Sequence, residues 1–280
     1  MMRPQAMRAE AWLEIANGEA WLSGKPVLRN LNLKLWLGES TTILGANGAG
    51  KSSLVKLIDR SLHPIVRPQA ELRLFGQTNV NLWDLRQRIG VVTTELEGRF
   101  PPSAAAREVV SSGFFGSMRL GRDQRPTAEQ QQGCLTLMQR LGLASIRDQP
   151  YGSLSDGQRR RLMIARALVH KPEVLVLDEP TRALDLKACH QLIACLRQLC
   201  RQGTTVLQVT HRIDTIIPEM DRVLFLRDGS ISADGQPQSM LTGGRLSDLF
   251  STPLTVVESG GFRQVLPQSS DSDVFTSGAW

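Results

Sequence analysis

The stretch "STTILGANGAGKSSLVKLIDRSL", Ser40 to Leu62, decides the fold. It begins as an apolar strand ending at Gly45 and finishes as a helix. Between them lies Gly45-Ala46-Asn47-Gly48-Ala49-Gly50-Lys51-Ser52, which fits G-x-x-x-x-G-K-[ST]. Glycines let a backbone wrap closely around phosphates with its N–H groups turned inward. The helix that follows adds the positive end of its dipole. In such a loop Lys51 reaches the β- and γ-phosphates, and the Ser52 hydroxyl binds Mg²⁺. A glycine-rich turn by itself is common. Set between a strand and a helix, it points to a nucleotide cradle.

A cradle of this kind needs an acid at the end of a neighbouring strand. "VLVLDEP" supplies one: an apolar run from Val174 to Leu177, then Asp178 and Glu179. Asp178 suits the Mg²⁺ shell through water. Glu179, one residue on, is placed to take a proton from an attacking water. "TTVLQVTH" is a second buried-type strand, ending in Thr210-His211. His211 is placed to hydrogen-bond a γ-phosphate and to orient the water or Glu179.

One further stretch has an odd construction. "GSLSDGQRRRLMIARALV", Gly152 to Val169, runs from a polar turn into three arginines and then an apolar helix. Cations at a helix start oppose its dipole. It reads as a capped surface helix, a nucleic-acid patch or half of a phosphate site.

Working outward, strands and helices alternate, which argues for a mostly parallel sheet. "AWLEIANGEAWL" carries Asn17-Gly18 between two apolar runs, a hairpin signal. "VLRNLNLKLWL" alternates apolar Leu31, Leu33, Leu35 and Leu37 with polar residues and reads as a half-buried strand. "GSMRLGRDQRPTAEQQQ" reads as an exposed excursion, and "LTVVESGGFRQVL" as a β-hairpin around Ser259-Gly260-Gly261. Cys195 falls on an apolar stripe with Ala188, Leu192, Leu196 and Leu199, which predicts packing rather than metal binding.

The chain has 280 residues, 41% hydrophobic and 21% charged, with net charge +6, ordinary values for a globular protein. No apolar run approaches the ~20 residues that span a bilayer. The start of the chain lacks the apolar core of a secretory signal. Four cysteines form no CxxC pair, and the four histidines no HExxH. These features predict a cytoplasmic protein without its own membrane span.

In the order P-loop, LSxGQ-like turn, VLVLDEP, LD and TH, the sequence resembles the ATPase subunit of ABC transporters, from about Ala11 to Phe250. The resemblance implies an α/β P-loop NTPase with a RecA-type core sheet, an N-terminal antiparallel β-lobe and a helical subdomain at about 95–170. It implies ATP and Mg²⁺ as ligands. Gly45, Asn47, Gly48, Gly50, Lys51, Ser52 and Ser53 would hold the phosphates, and Ser52 and Asp178 the metal. Glu179, His211 and Lys51 would serve catalysis. Leu154-Ser155-Asp156-Gly157-Gln158 matches the family's signature, and Ala183-Leu184-Asp185 its D-loop. In the homodimer this implies, Ser155, Gly157 and Gln158 of one subunit would approach the γ-phosphate held by the other. A C-terminal hairpin at 251–266, a flexible start at 1–10 and a disordered tail at 267–280 complete the expected organisation.

Three departures stand out. Thr94 occupies the position where the family has a glutamine that contacts Mg²⁺. Trp21, beside Leu22, is the candidate to stack on adenine, because stacking needs a π-face. Asp156 replaces the signature's first glycine and is expected to point away from phosphate. Segments around "RIGVVTTELEGRF" also resemble the branch related to molybdate-transport and photorepair ATPases.

The expected partner is a separate membrane permease at the inner face of a membrane. The competing reading is a soluble ATPase acting on nucleic acid, ribosomes or assembly proteins. Against it, the interval between P-loop and signature has no sustained heptads, and only one ATPase unit is present; nucleic acid is not an expected partner. A third reading, a slow nucleotide-dependent regulator, rests on Thr94.

Overall fold

The computed structural model describes residues 10–118 and 120–268. Apart from Glu10, Pro267 and Gln268, the expected flexible start and disordered tail lie outside the described residues.

The chain opens with β1 (Ala11–Leu22) and β2 (Lys25–Trp36), followed by β3 (Thr41–Leu44), α1 (Lys51–Ile58) and β4 (Glu71–Leu74). Then come α2 (Leu82–Arg88), β5 (Ile89–Val92), α3 (Thr94–Glu97), α4 (Ala106–Ser111), α5 (Ala128–Arg140) and α6 (Asp156–Leu168). The rest is β6 (Val174–Asp178), α7 (Leu186–Arg201), β7 (Thr205–Thr210), β8 (Arg222–Arg227), β9 (Ser230–Gly235), α8 (Pro237–Met240), α9 (Gly243–Phe250), β10 (Leu254–Ser259) and β11 (Phe262–Pro267).

The six-stranded sheet has the order β5-β6-β7-β3-β8-β9. Its first five strands are parallel, and β9 closes one edge antiparallel to β8. Parallel strands are covered on both faces and therefore read as continuous apolar runs. Here β3, β6 and β7 are buried at every position. Their side chains alternate between two cores. Leu175, Leu177 and Val206 join α4 to α7 in one, while Val174, Val176, Leu207 and Val209 join α1 and the β-lobe in the other.

The β-lobe is a three-stranded antiparallel sheet, β2-β1-β4. The hairpin expected at Asn17-Gly18 is not there. β1 runs straight through, and Asn17 (φ 48°) forms a bulge where the register to β2 shifts. Its N–H donates to Asn32 Oδ1 at 3.0 Å, so the partner strand absorbs the irregularity. The real turn is Ser23-Gly24, both at positive φ, with Leu22 paired to Lys25. That is the two-residue geometry whose twist suits a hairpin.

Two smaller readings change. The excursion before α5 is shorter than expected, because Thr127 caps that helix through a capping box with Gln130. On α7 the buried face is Cys189, Leu192, Ile193, Leu196 and Cys200, with Cys195 and Leu199 on its flank. The C-terminal hairpin forms as expected, with β10 and β11 paired from Leu254↔Pro267 to Ser259↔Phe262.

Candidate functional site

The apolar sequence of β3 drives the chain straight through the core, and at Gly45 the chain leaves the sheet into the loop. Gly45 tolerates no side chain, since a Cβ would lie 2.4 Å from the Leu226 carbonyl oxygen. Gly50 adopts φ 103° as the N-cap of α1 and lies against Val27, where a Cβ would come within 2.7 Å of a carbonyl. These two contacts clamp the loop between β8 and β2. The first turn of α1 therefore begins at Lys51 and carries no acid of its own, so the positive end of the helix dipole is available to an anion.

Lys51 is buried, and its Nζ donates to the Gly45 carbonyl (2.8 Å) and the Ala46 carbonyl (3.0 Å). Burial lowers its pKa, opposed by the charges of Glu179 and Asp178. Glu179 Oε1 is 3.6 Å from Lys51 Nζ.

Glu179 is the centre of the cluster. Its backbone takes φ 48°, uncommon for a side chain of this kind, and its N–H donates to the Val209 carbonyl at 2.8 Å. This turn at the end of β6 swings the carboxylate toward the end of β7. There it contacts His211 Nδ1 at 2.8 Å and accepts from Thr210 Oγ1 at 3.2 Å. Thr210 is fully buried, and its hydroxyl also accepts from the Arg212 N–H at 3.0 Å. The sequence reading named the Thr210-His211 pair but gave a role only to the histidine. The signal for Thr210 was its place as the last residue of a strand adjoining the acid.

Asp178 is 7% exposed. Burial raises its pKa; a hydrogen bond with Ser52 works against that. Its Oδ1 is buried with no hydrogen-bond partner among the described residues. So the structure brings together Lys51, Ser52, Asp178, Glu179 and His211. Thr94 is exposed at the first position of α3, with Thr93 as the N-cap.

The Ser155 turn is a capping box. Ser155 Oγ accepts from Gln158 N at 3.3 Å, and Gln158 Oε1 accepts from Ser155 N at 2.9 Å. Gly157 sits where a Cβ would lie 2.5 Å from Ala188 Cβ. The start of α6 thus packs against the start of α7, which Asp185 caps through Ala188 N at 2.7 Å. Asp156 is exposed and 3.6 Å from Arg159.

The arginine triplet is not a basic patch. Arg159 donates to the Gly152 carbonyl at 2.9 Å and lies over the Tyr151 ring. Arg160 is buried against Glu97 at 2.9 Å, and Arg161 contacts the Gly157 and Leu141 carbonyls. Each reaches a group of its own chain. The sequence reading missed Glu97 and Arg160 as a pair, because no local spacing joins residues 63 positions apart.

Trp21 is 44% exposed, and its Nε1 donates to Glu19 Oε1 at 2.6 Å. It pairs with Pro26, next to the Val27 carbonyl that touches Gly50.

A P-loop with an acid-bearing strand end, a histidine strand end and a glycine-centred capping turn defines an ATP-binding cassette. The ABC transporter family profile matches residues 28–182, and the chain belongs to that family, whose members bind and hydrolyse ATP. It is 32% identical over 248 residues to the uncharacterized ABC transporter ATP-binding protein YlmA of Bacillus subtilis, covering 88% of this chain and 93% of that protein. It is 34% identical to the cobalt import ATP-binding protein CbiO of Rhodobacter capsulatus, over 80% of this chain and 78% of the relative. Among solved structures, an inward-facing metal-chelate type ABC transporter matches with a TM-score of 0.75 and 25% identity, covering 92% of this chain and 98% of the other. A dimeric cassette bound to ADP and phosphate matches with a TM-score of 0.66 and 26% identity, over 80% and 98%. Among the described residues no helix is long and apolar enough to cross a membrane.

Proposed function

We propose that this chain is the ATP-hydrolysing subunit of an ABC transporter, working as a homodimer beneath a separate permease. The observation that carries the reading is Glu179, held at once by His211 and Thr210 and set 3.6 Å from Lys51. A carboxylate so placed takes the proton of a water attacking the γ-phosphate, and His211 orients both. Lys51 swings from the loop carbonyls to the β- and γ-phosphates, while the loop N–H groups hold the rest.

The donor set suits Mg²⁺. Asp178 offers a buried, unpartnered oxygen, and the Ser52 hydroxyl lies beside it. Magnesium prefers such hard oxygen ligands. Ser52 and Asp178 would hold the ion, whose positive charge would offset the negative charge that develops on the transferring phosphoryl group. Thr94 offers a further hydroxyl two residues beyond the end of β5, whose last residue Val92 pairs with Leu177 just before Asp178.

The capped start of α6, with Ser155 exposed, Gln158 half-buried and Gly157 buried against Ala188, suits a phosphate held by the other subunit, with the Asp185 cap of α7 beside it. The exposed ring of Trp21 is available to adenine. The Thr94–Ser153 helices would dock the permease at the inner face of the membrane. The names of the cobalt relative and of a hemin import protein from Aliivibrio fischeri, 32% identical, support import over export and a metal or metal-chelate cargo.

Pull-down of tagged Glu179→Gln with ATP from native membranes tests the reading. Recovery of a polytopic membrane protein is expected. Recovery of none, with ATP hydrolysis intact in the parent, would sink the transport assignment in favour of a soluble ATPase. An ATP-dependent dimer with negligible parental turnover would favour the slow regulator.

A further inference from the structure

Arg160 is a buried cation in the first half of α6, the helix that begins at the Ser155 turn. It is 3% exposed. Its Nε lies 2.9 Å from Glu97 Oε1, but neither atom completes an aligned hydrogen bond, and Nη1 has no acceptor among the described residues. A guanidinium carries five donors, so this one is held by charge rather than by a full set of hydrogen bonds. A buried ion pair is weak evidence for stability, since desolvation offsets the attraction. Its placement calls for another explanation.

Arg160 is paired with Glu97 and also lies within the electrostatic reach of Asp178. Among the groups acting most strongly on it are Glu97, Tyr151, Asp178 and Arg182. Tyr151 is a neutral phenol at physiological pH, and burial pushes its pKa higher still, to about 12. Glu97 and Asp178 are the anions that compete for the guanidinium. Arg182 repels it. Asp178 has the orphaned oxygen Oδ1, and Arg160 in turn favours the charged form of Asp178.

Glu97 is itself held in place. The Tyr151 hydroxyl donates to its carbonyl at 3.0 Å. Glu95, on the same short helix, pairs with Lys56 of α1 at 2.6 Å. Backbone bonds from Tyr151 N to the Ala104 carbonyl and from Gly152 N to the Pro102 carbonyl, both 2.8 Å, zip the segment after α3 to the approach to α6. The carboxylate is therefore presented to Arg160 from a fixed mount.

We infer that Glu97 is a positioning residue that holds the Arg160 guanidinium on α3 and so reserves the Asp178 carboxylate for the metal. Without Glu97, the buried cation turns to the remaining acid, and the metal must displace it. The inference rests on Ser52 and Asp178 being the metal site proposed above.

Two measurements on the full chain decide it. The first needs no nucleotide. The Arg160 Nε–H resonance is expected to move in Glu97→Gln and to stay in place in Asp178→Asn. In Glu97→Gln/Asp178→Asn it should move again relative to Glu97→Gln. A parental resonance that responds to Asp178→Asn as strongly as to Glu97→Gln overturns the inference. The second is Mn²⁺ binding in the presence of ATP, read from the electron paramagnetic resonance signal of the free ion. Glu97→Gln should weaken it about tenfold, the scale of one partly screened charge. Glu97→Gln/Arg160→Gln should return it to within about twofold of the parent, because the competing cation is gone. Unchanged affinity in the single variant, or no recovery in the double, overturns the inference. Should Glu97→Gln fail to fold, Glu97→Asp keeps the charge but draws it back, and a smaller loss recovered by Arg160→Gln is expected. A parent that binds no Mn²⁺ with ATP would refute the nucleotide reading, while the resonance test still decides where Arg160 points.

Discussion

The two halves of the proposed ATP site are built differently. On the P-loop side, positive-φ backbone at Gly48, Gly50 and Glu179 surrounds the buried charges of Lys51 and Asp178. On the Ser155 side, an ordinary capping box at the start of α6 leaves Ser155 and Asp156 exposed. Strained backbone and desolvated charge cost free energy, and they persist only where the surroundings over-determine them. A helix cap needs no such support. The half that performs chemistry is thus fixed by the core, while the half presented to a partner can be built cheaply on a helix end.

The sharpest way to break this contrast is Glu179→Gln. It keeps the turn and the contact with Thr210 but removes the base. The turnover number should fall about a thousandfold, within the range for loss of a general base, with ATP affinity retained. Phosphate release and nucleotide binding measured together check it; a loss of binding equal to the loss of turnover would mean that Glu179 serves only to hold the loop.

The next effect concerns the far end of the signature helix. His170 follows α6, both ring nitrogens are buried without partners among the described residues, and burial lowers its pKa to about 4 from 6.5. The unfolded chain therefore takes up a proton between pH 6.5 and 4 that the folded chain refuses. Stability is fully present above pH 6.5 and lost as pH falls through that window, by up to about 3 kcal/mol. Urea unfolding at pH 7 and pH 5 should show the loss in the parent and much less of it in His170→Gln.

A third variant tests whether the presented half is as unconstrained as it looks. Gly157→Ala places a methyl against Ala188 and should cost about 1–3 kcal/mol, the usual penalty of overpacking. Gly157→Ala/Ala188→Gly should recover most of it. Thermal unfolding distinguishes this from a role in ATP contact, because a variant that regains stability yet stays inactive assigns the glycine to the ligand.

The smallest effect is expected at Asp156, which is exposed and beside Arg159. Asp156→Gly should bind ATP as the parent does and lose at most about 1 kcal/mol from the first turn of α6. A large gain in ATP affinity would show that the carboxylate faces phosphate.

Much of the parental design was legible in the sequence because it is local. The P-loop residues, the strand-end acid and the Ser155 turn are short motifs whose chemistry follows from spacing. Strands buried on both faces gave themselves away as apolar runs such as Val174–Leu177. What escaped were features set by pairing across the chain. Asn17-Gly18 carries the composition of a turn, yet the length of β2 pulls both halves of β1 into one ladder and leaves a bulge. The arginine triplet left a capped helix, a nucleic-acid patch and half of a phosphate site all open until tertiary structure gave each guanidinium a group of its own chain to contact. Glu97 and Arg160 belong to different segments, and only the packing of α3 on α6 makes them partners.

The place of β3 in the sheet has a consequence in time. This strand carries the P-loop, and its neighbours are β7 and β8. Ser40 Oγ accepts from the N–H of Val206, 166 residues later in the chain. At about 5–20 residues per second, a ribosome needs roughly ten to thirty seconds to supply that partner. Until then the nucleotide loop hangs from a strand with both edges bare. A stalled or truncated chain that stops before Thr210 carries the whole P-loop sequence and still lacks the strands that hold it, so competence for nucleotide waits until β7 and β8 have been made.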